Sequence, residues 1–188
     1  MNFKLTSILV TTVLLAFSLP AQALTLQFNA GLNGANETTP TGSTATGIAT
    51  LFYDDNNTAL TTDDSYNFSL SAFGLSGLVS GMHIHAPAAP GFNGPVVVPL
   101  TSPNFLVFNS ASSILIGGAG IAPPSSVFLS QLQAGLAYVN LHTVLYPGGE
   151  IRGQLIQVAV VPEPSTYAML LSGLGLIGVF VSRRTQVR

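Results

Sequence analysis

The chain has no cysteine and no tryptophan, and only 6% of its 188 residues are charged. Without thiols it forms neither disulfides nor iron–sulfur clusters, so an exported version must be held together by packing and hydrogen bonds alone. Basic charge is scarcest where a fold can lie. Between Leu24 and Val160 the only strong base is Arg152, set against Glu37, Asp54, Asp55, Asp63, Asp64 and Glu150. A surface without lysine or arginine clusters cannot neutralise phosphates, which argues against nucleic acid as a partner. No internal repeat and no run of like charge divides the chain.

The longest apolar runs lie at the two ends. Lys4 supplies a positive start, Leu5 to Leu19 an apolar stretch, and Ala21-Gln22-Ala23 a small-x-small site. Residues 1–23 therefore read as a signal peptide, cut by signal peptidase before Leu24. At the other end, Val161-Pro162-Glu163-Pro164-Ser165 precedes an apolar run from Tyr167 to Val181 and then Ser182-Arg183-Arg184. Two prolines bracketing Glu163 continue neither strand nor helix, so the tripeptide is exposed and readable. The following run of about fifteen residues is expected to form a single transmembrane helix over 167–181, slightly short of the roughly twenty that span a bilayer comfortably, with the arginines holding its cytoplasmic end. An ordinary membrane anchor would explain the run and the arginines but not Pro162, Glu163 and Pro164. The order of these parts over 161–188 resembles the PEP-CTERM signal of Gram-negative bacteria. That resemblance implies recognition by an exosortase-type transpeptidase, a transient membrane anchor, and a mature product at the cell surface or outside the cell.

Between these ends, residues 24–160 have the size of one domain. Leu24-Thr25-Leu26-Gln27-Phe28, Tyr66-Asn67-Phe68-Ser69-Leu70 and Tyr138-Val139-Asn140-Leu141-His142-Thr143 alternate apolar and polar residues with period two, the pattern of half-buried strands. Turn formers separate them at Gly31 to Gly34, Asp54 to Asn57, Thr61 to Asp64, Pro87 to Gly94, Pro123-Pro124 and Pro147-Gly148-Gly149. The stretch Thr38 to Thr50 reads as a loop running into a strand at Ile48 to Tyr53. Only Ser125 to Ala134 reads as helical, with Ser125 or Ser126 as cap and Val127, Leu129 and Leu132 carried on it. The expected class is all-β, an antiparallel Greek-key-like sandwich.

Three blocks resemble the CHRD domain, first described in chordin and also found in bacterial exported proteins. They are Phe28 to Glu37 with Ala45-Thr46-Gly47 downstream, His83-Ile84-His85-Ala86-Pro87 with Gly91 to Val97, and Tyr138 to Thr143 with Pro147 to Leu155. The resemblance is weakest over Asn104 to Pro124. It implies an antiparallel sandwich and leaves the biochemical activity undefined.

The histidines carry the most chemistry. His83 and His85 are separated by one residue, so in a strand both imidazoles project from one face and can reach one ion. His142 lies on another alternating strand, which the Pro147-Gly148-Gly149 turn folds back as a hairpin toward Glu150. Three neutral imidazoles, with or without Glu150, suit copper or zinc. The His-x-His pair resembles that of copper-zinc superoxide dismutase, but the other ligands of that enzyme have no counterparts here. The competing reading is structural, because imidazoles also brace loops by bonding backbone carbonyls, here the Pro87 to Gly94 crossover.

Glu150 and Arg152 are spaced to share a face and read as an ion pair locking the last hairpin. No serine or threonine has the surroundings of a nucleophile, so an enzyme is not expected, with a metal-dependent redox role of the histidines as the open alternative. Gly173 to Gly178 satisfies a dinucleotide-binding pattern but lies in the apolar tail without a βαβ unit, where its glycines suit close helix approach instead. Asp54-Asp55-Asn56-Asn57 and Asp63-Asp64 lack the glycine and twelfth-position glutamate of a calcium loop and read as a hairpin loop. Two functions follow: an extracellular structural or interaction module associated with an exopolysaccharide matrix, or an envelope metal-binding protein using His83, His85 and His142.

Overall fold

The computed structural model describes residues 25–159, apart from 57, 59 and 102, and residues 169–177. The signal peptide 1–23, the motif residues Pro162, Glu163 and Pro164, and Arg183 and Arg184 lie outside the described residues. The membrane helix expected over 167–181 is described only as a helix over 169–177. Such a helix rises about 14 Å, less than half of a hydrocarbon core of about 30 Å. Among the described residues no helix is long and apolar enough to cross a membrane.

The fold is antiparallel β throughout, as the alternation requires. Strands β1 (Thr25–Asn33), β2 (Thr46–Asp54) and β3 (Ser65–Phe73) form a meander of equal nine-residue strands. There follow β4 (Val79–His85), β5 (Val96–Pro99), β6 (Leu106–Asn109) and β7 (Ser113–Ile121), then a short helix α1 (Phe128–Gln133), β8 (Tyr138–Thr143), β9 (Ile151–Gln154) and β10 (Ile156–Val158). All are hydrogen-bonded into one sheet of order β5-β4-β8-β9-β1-β2-β3-β7-β6, with β10 also on β1. The sheet curls over a single core, sandwich-like, and β9 returns to lie beside β1, the neighbour relation of a Greek key.

Alternate residues of each strand supply that core. Phe28, Leu51, Phe68, Leu70, Ile84, Ile114, Ile116, Val139, Leu141 and Ile151 are buried, and α1 adds Phe128 and Leu132. Each such side chain contributes about 1.5–3 kcal/mol by leaving water. The helix lies where its pattern placed it, but its capping differs: no side chain caps it, and Phe128 N–H bonds the Ser125 carbonyl. Its inward face is Phe128 and Leu132, while Val127 is exposed.

The stretch Asn104 to Pro124, where family resemblance is weakest, builds β6 and β7. Strand β7 pairs with β3 from Tyr66↔Ile121 to Phe73↔Ser113. Its Gly118 serves packing. A Cβ on Gly118 would lie 2.7 Å from the Phe105 ring, and Phe105 meets Phe68 edge-on with ring centroids 6.0 Å apart.

Strand β9 depends on a glycine in the same way. A Cβ on Gly153 would sit 2.6 Å from the Gly31 carbonyl oxygen, a backbone atom that cannot rotate aside. Gly153→Ala is therefore expected to cost about 1–3 kcal/mol and to lower the thermal midpoint by roughly 5–10 °C. An unchanged melt would mean that β9 and β1 separate freely.

Candidate functional site

The pairing of β4 with β8 assembles the site. Gly81 faces His142, His83 faces Asn140, and His85 faces Tyr138. Because strand side chains alternate, Gly81, His83 and His85 share the outer face with Tyr138, Asn140 and His142, while Met82, Ile84, Val139 and Leu141 point into the core. The expected i, i+2 pair and the distant third histidine thus meet. One nitrogen from each of His83, His85 and His142 lies within 4.8 Å of the others. The ring centroids of His83 are 5.6 Å from His85 and 5.3 Å from His142. A Cβ on Gly81 would lie 3.3 Å from His83 Cε1 and 3.6 Å from His142 Cδ2, so the glycine leaves the two rings room.

Two of the rings have fixed roles for their nitrogens. His85 Nδ1 bonds the Gly94 carbonyl at 2.9 Å, and His142 Nδ1 bonds the Pro147 carbonyl at 3.0 Å. A carbonyl accepts only from an N–H, so each neutral ring carries its proton on Nδ1 and keeps a lone pair on Nε2. His85 Nε2, His142 Nε2 and His83 Nδ1 are buried with no hydrogen-bond partner. Only His85 braces the Pro87 to Gly94 crossover; His142 braces the next turn, and His83 Nδ1 braces nothing.

Burial lowers the His83 pKa from the ordinary 6.5, and the charges that His142 and His85 would carry lower it further. Burial also lowers that of His85; the Gly94 bond opposes this, while His142 and Arg152 reinforce it. Both rings are therefore held neutral, the form that coordinates a metal.

Glu150 does not join them. Its carboxylate accepts Thr143 Oγ1 at 2.6 Å, Ser43 Oγ at 2.7 Å, and Ser76 N and Oγ at 2.9 Å each, and it is fully buried. The expected Glu150–Arg152 ion pair is likewise replaced. Arg152 Nε lies 3.3 Å from Glu37 Oε2, because β9 sits beside β1 and the chain after β1 carries Glu37 across it. Burial raises the Glu37 pKa, and Arg152 pulls it down. Composition had singled out Arg152 as the sole strong base of the domain, the one available signal of its importance; its partner could not be read.

The acidic turn residues serve local structure. Asp54 Oδ1 accepts Asn56 N–H at 3.0 Å, the Asp63 carboxylate accepts Thr58 Oγ1, and buried Asp64 accepts the Tyr53 hydroxyl at 2.7 Å. All the buried side-chain polar atoms lacking a hydrogen-bond partner among the described residues, other than Asp64 Oδ1 and Gln131 Oε1, belong to the three histidines, Asn140, Glu37 and Arg152, whose Nε has only the ion pair. Unsatisfied polarity is gathered on this one face, and native proteins tolerate such groups mainly where a ligand, ion or water meets them.

A CHRD domain matches residues 28–155, and a PEP-CTERM protein-sorting motif matches residues 160–184, marking an exported chain processed by an exosortase-type system. No match was found among curated proteins or among solved structures. With the domain match covering most of the chain, on the same three blocks that build β1, β4 and the β8–β9 hairpin, the protein belongs to the CHRD domain family.

Proposed function

We propose that this exported domain is an envelope or cell-surface metal-binding protein that holds a copper or zinc ion between His83, His85 and His142. The observation that carries this reading is the convergence of three imidazoles, one nitrogen of each within 4.8 Å of the others, on rings that each keep a buried, unpartnered nitrogen, two of them with the other nitrogen tied to a carbonyl. Structural braces use their polar atoms; these three are left over. An outer hydrogen bond that fixes the tautomer is the usual support of a histidine ligand. Bonds of about 2 Å to one ion bring donors to about 3.4 Å from each other, so the rings must close in on a bound ion. Three protein ligands leave a further coordination position for water or an exogenous ligand. On this reading the signal peptide is removed by signal peptidase, the tail is a transient membrane anchor, and the mature domain works outside the inner membrane.

A second reading, a matrix-associated interaction module, is favoured by exposed apolar side chains on the other half of the sheet. Ile48, Phe73, Leu106, Phe108 and Leu115 lie open there.

Calorimetric titration with zinc and copper, repeated across pH, tests the first reading. Saturable binding and a higher melting temperature are expected. Since the pKa values of His83 and His85 are lowered from 6.5, proton competition at these two rings sets in below that value, and affinity is expected to fall as pH drops beneath it. The metal-free protein follows the same sign: the unfolded chain takes up protons that the folded rings refuse, so stability falls as pH drops below about 6.5. Absence of both heat and thermal shift would leave the histidines as braces and the second reading in place.

A further inference from the structure

His85 is positioned by more than its hydrogen bond. A single bond from Nδ1 to Gly94 fixes one atom of the ring but leaves its plane free to turn about that bond. The plane is set by Tyr138, whose ring lies 4.7 Å from that of His85 with only 3° between them. Since β8 runs between β4 and β9, Tyr138 stands between His85 and Arg152, and the guanidinium carbon is 4.2 Å from the Tyr138 ring centroid. Arg152 is itself tied down. Its guanidinium donates to the Phe92 carbonyl at 3.0 Å and to Asn93 Oδ1 at 2.6 Å, and Glu37 lies against Nε.

The three stacked groups also grip one strap, the segment between β4 and β5. Arg152 takes Phe92 and Asn93, Tyr138 Oη accepts the Gly94 N–H at 3.2 Å, and His85 donates to the Gly94 carbonyl. The residues that fix the ring plane therefore also fix the carbonyl that sets its tautomer.

We propose that Tyr138 and Arg152 are the positioning residues of the metal site, holding the plane of His85 so that Nε2 is presented toward His83 and His142. The proposal rests on the metal reading of the three histidines. Its physical content is division of labour: the carbonyl chooses which nitrogen is free, and the stack chooses where that nitrogen points. Glu37 offsets the Arg152 charge, which would otherwise stand uncompensated near a cation. Cation–π contact and flat stacking are each modest, but an aimed ligand is worth more to binding than either contact is to folding, because it removes freedom that coordination must otherwise freeze.

The test is zinc affinity and the cobalt(II) absorption spectrum of the full chain and its variants, with metal-free melting curves beside them. Tyr138→Phe keeps the ring face and is expected to bind zinc within about threefold of wild type with the same cobalt spectrum. Tyr138→Leu removes the face and is expected to weaken zinc binding at least tenfold, the usual loss for an outer support of a ligand, and to alter the cobalt bands. Arg152→Lys keeps the charge beside Glu37 but not the planar fork. It is expected to weaken binding severalfold and carries the test should Tyr138→Leu fail to fold. Wild-type affinity and spectrum in both Tyr138→Leu and Arg152→Lys would overturn the proposal, as would equal losses in Tyr138→Phe and Tyr138→Leu, which would assign the effect to the hydroxyl. If wild type binds neither zinc nor cobalt, the metal reading itself fails; if wild type binds and the variants match it, only the positioning role fails.

Discussion

His83→Ala is expected to weaken zinc or copper binding by about a hundredfold or more, through loss of one of only three protein donors, while leaving the metal-free melting temperature almost unchanged. The separation of the two effects follows from the neighbours of this ring. His83 Nδ1 has no partner in the folded protein, so its removal strands no donor or acceptor. The ring is half-exposed on the outer face, so its loss opens no cavity in the core. His85→Ala should lose as much affinity and somewhat more stability, because the Gly94 carbonyl and the Tyr138 face lose their contacts. His142→Ala isolates the third donor, since water can replace the ring at the exposed Pro147 carbonyl. Competition titrations and melting curves on the three variants measure both quantities. Wild-type affinity in all three would remove the site, whatever the melts showed.

Glu150→Ala should produce the opposite profile, a large loss of stability of about 3 kcal/mol or more with little direct effect on metal affinity. Three hydroxyls and one amide, from Thr143, Ser43 and Ser76, converge on this buried carboxylate; its removal costs their charge-assisted bonds and leaves buried Thr143 without its acceptor, at about 1–3 kcal/mol for that group alone. Burial raises the Glu150 pKa, but the bonds from Thr143, Ser43 and Ser76 outweigh it and bring the group below its ordinary 4.5. A carboxyl depressed in the folded state stabilises the fold above its unfolded pKa and ceases to do so as pH falls through the folded one. Wild-type stability should therefore decline below about pH 4.5 by a component that Glu150→Ala lacks. Chemical denaturation at neutral and acidic pH checks both statements; a variant as stable as wild type would show that the buried cluster contributes nothing net.

What could be read in the sequence was whatever a strand declares by itself. Tyr66 to Leu70 and Tyr138 to Thr143 alternate cleanly because each has one face in the core, and Pro147-Gly148-Gly149 turns β8 into β9 as that tripeptide requires. The His-x-His spacing put two imidazoles on one face for the same reason. Partners chosen by topology were not legible. Glu37 meets Arg152 only because β9 returns beside β1, and no local pattern prefers it to the nearer Glu150. Strands β6 and β7 were hidden by composition: Gly117-Gly118-Ala119-Gly120 resembles a loop until Phe105 is seen to occupy the space that a side chain on Gly118 would need. The capping of α1 differs from the serine cap its sequence suggests because Ser125 contributes its backbone carbonyl rather than its hydroxyl.

The placement of the histidines opposite Met82 and Ile84 on the same strand bears on inheritance. A sheet one residue thick separates the side chains that pack the core from the three imidazoles, so the two sets can change under independent selection. Exchanging the three imidazoles would not require rebuilding the core, because none of them packs in it. Within the family, the buried alternation of β1, β4 and β8 should therefore be inherited more widely than the pair at positions 83 and 85. Where that pair is kept, the partner at position 142 and the aromatic ring at position 138 should be kept with it.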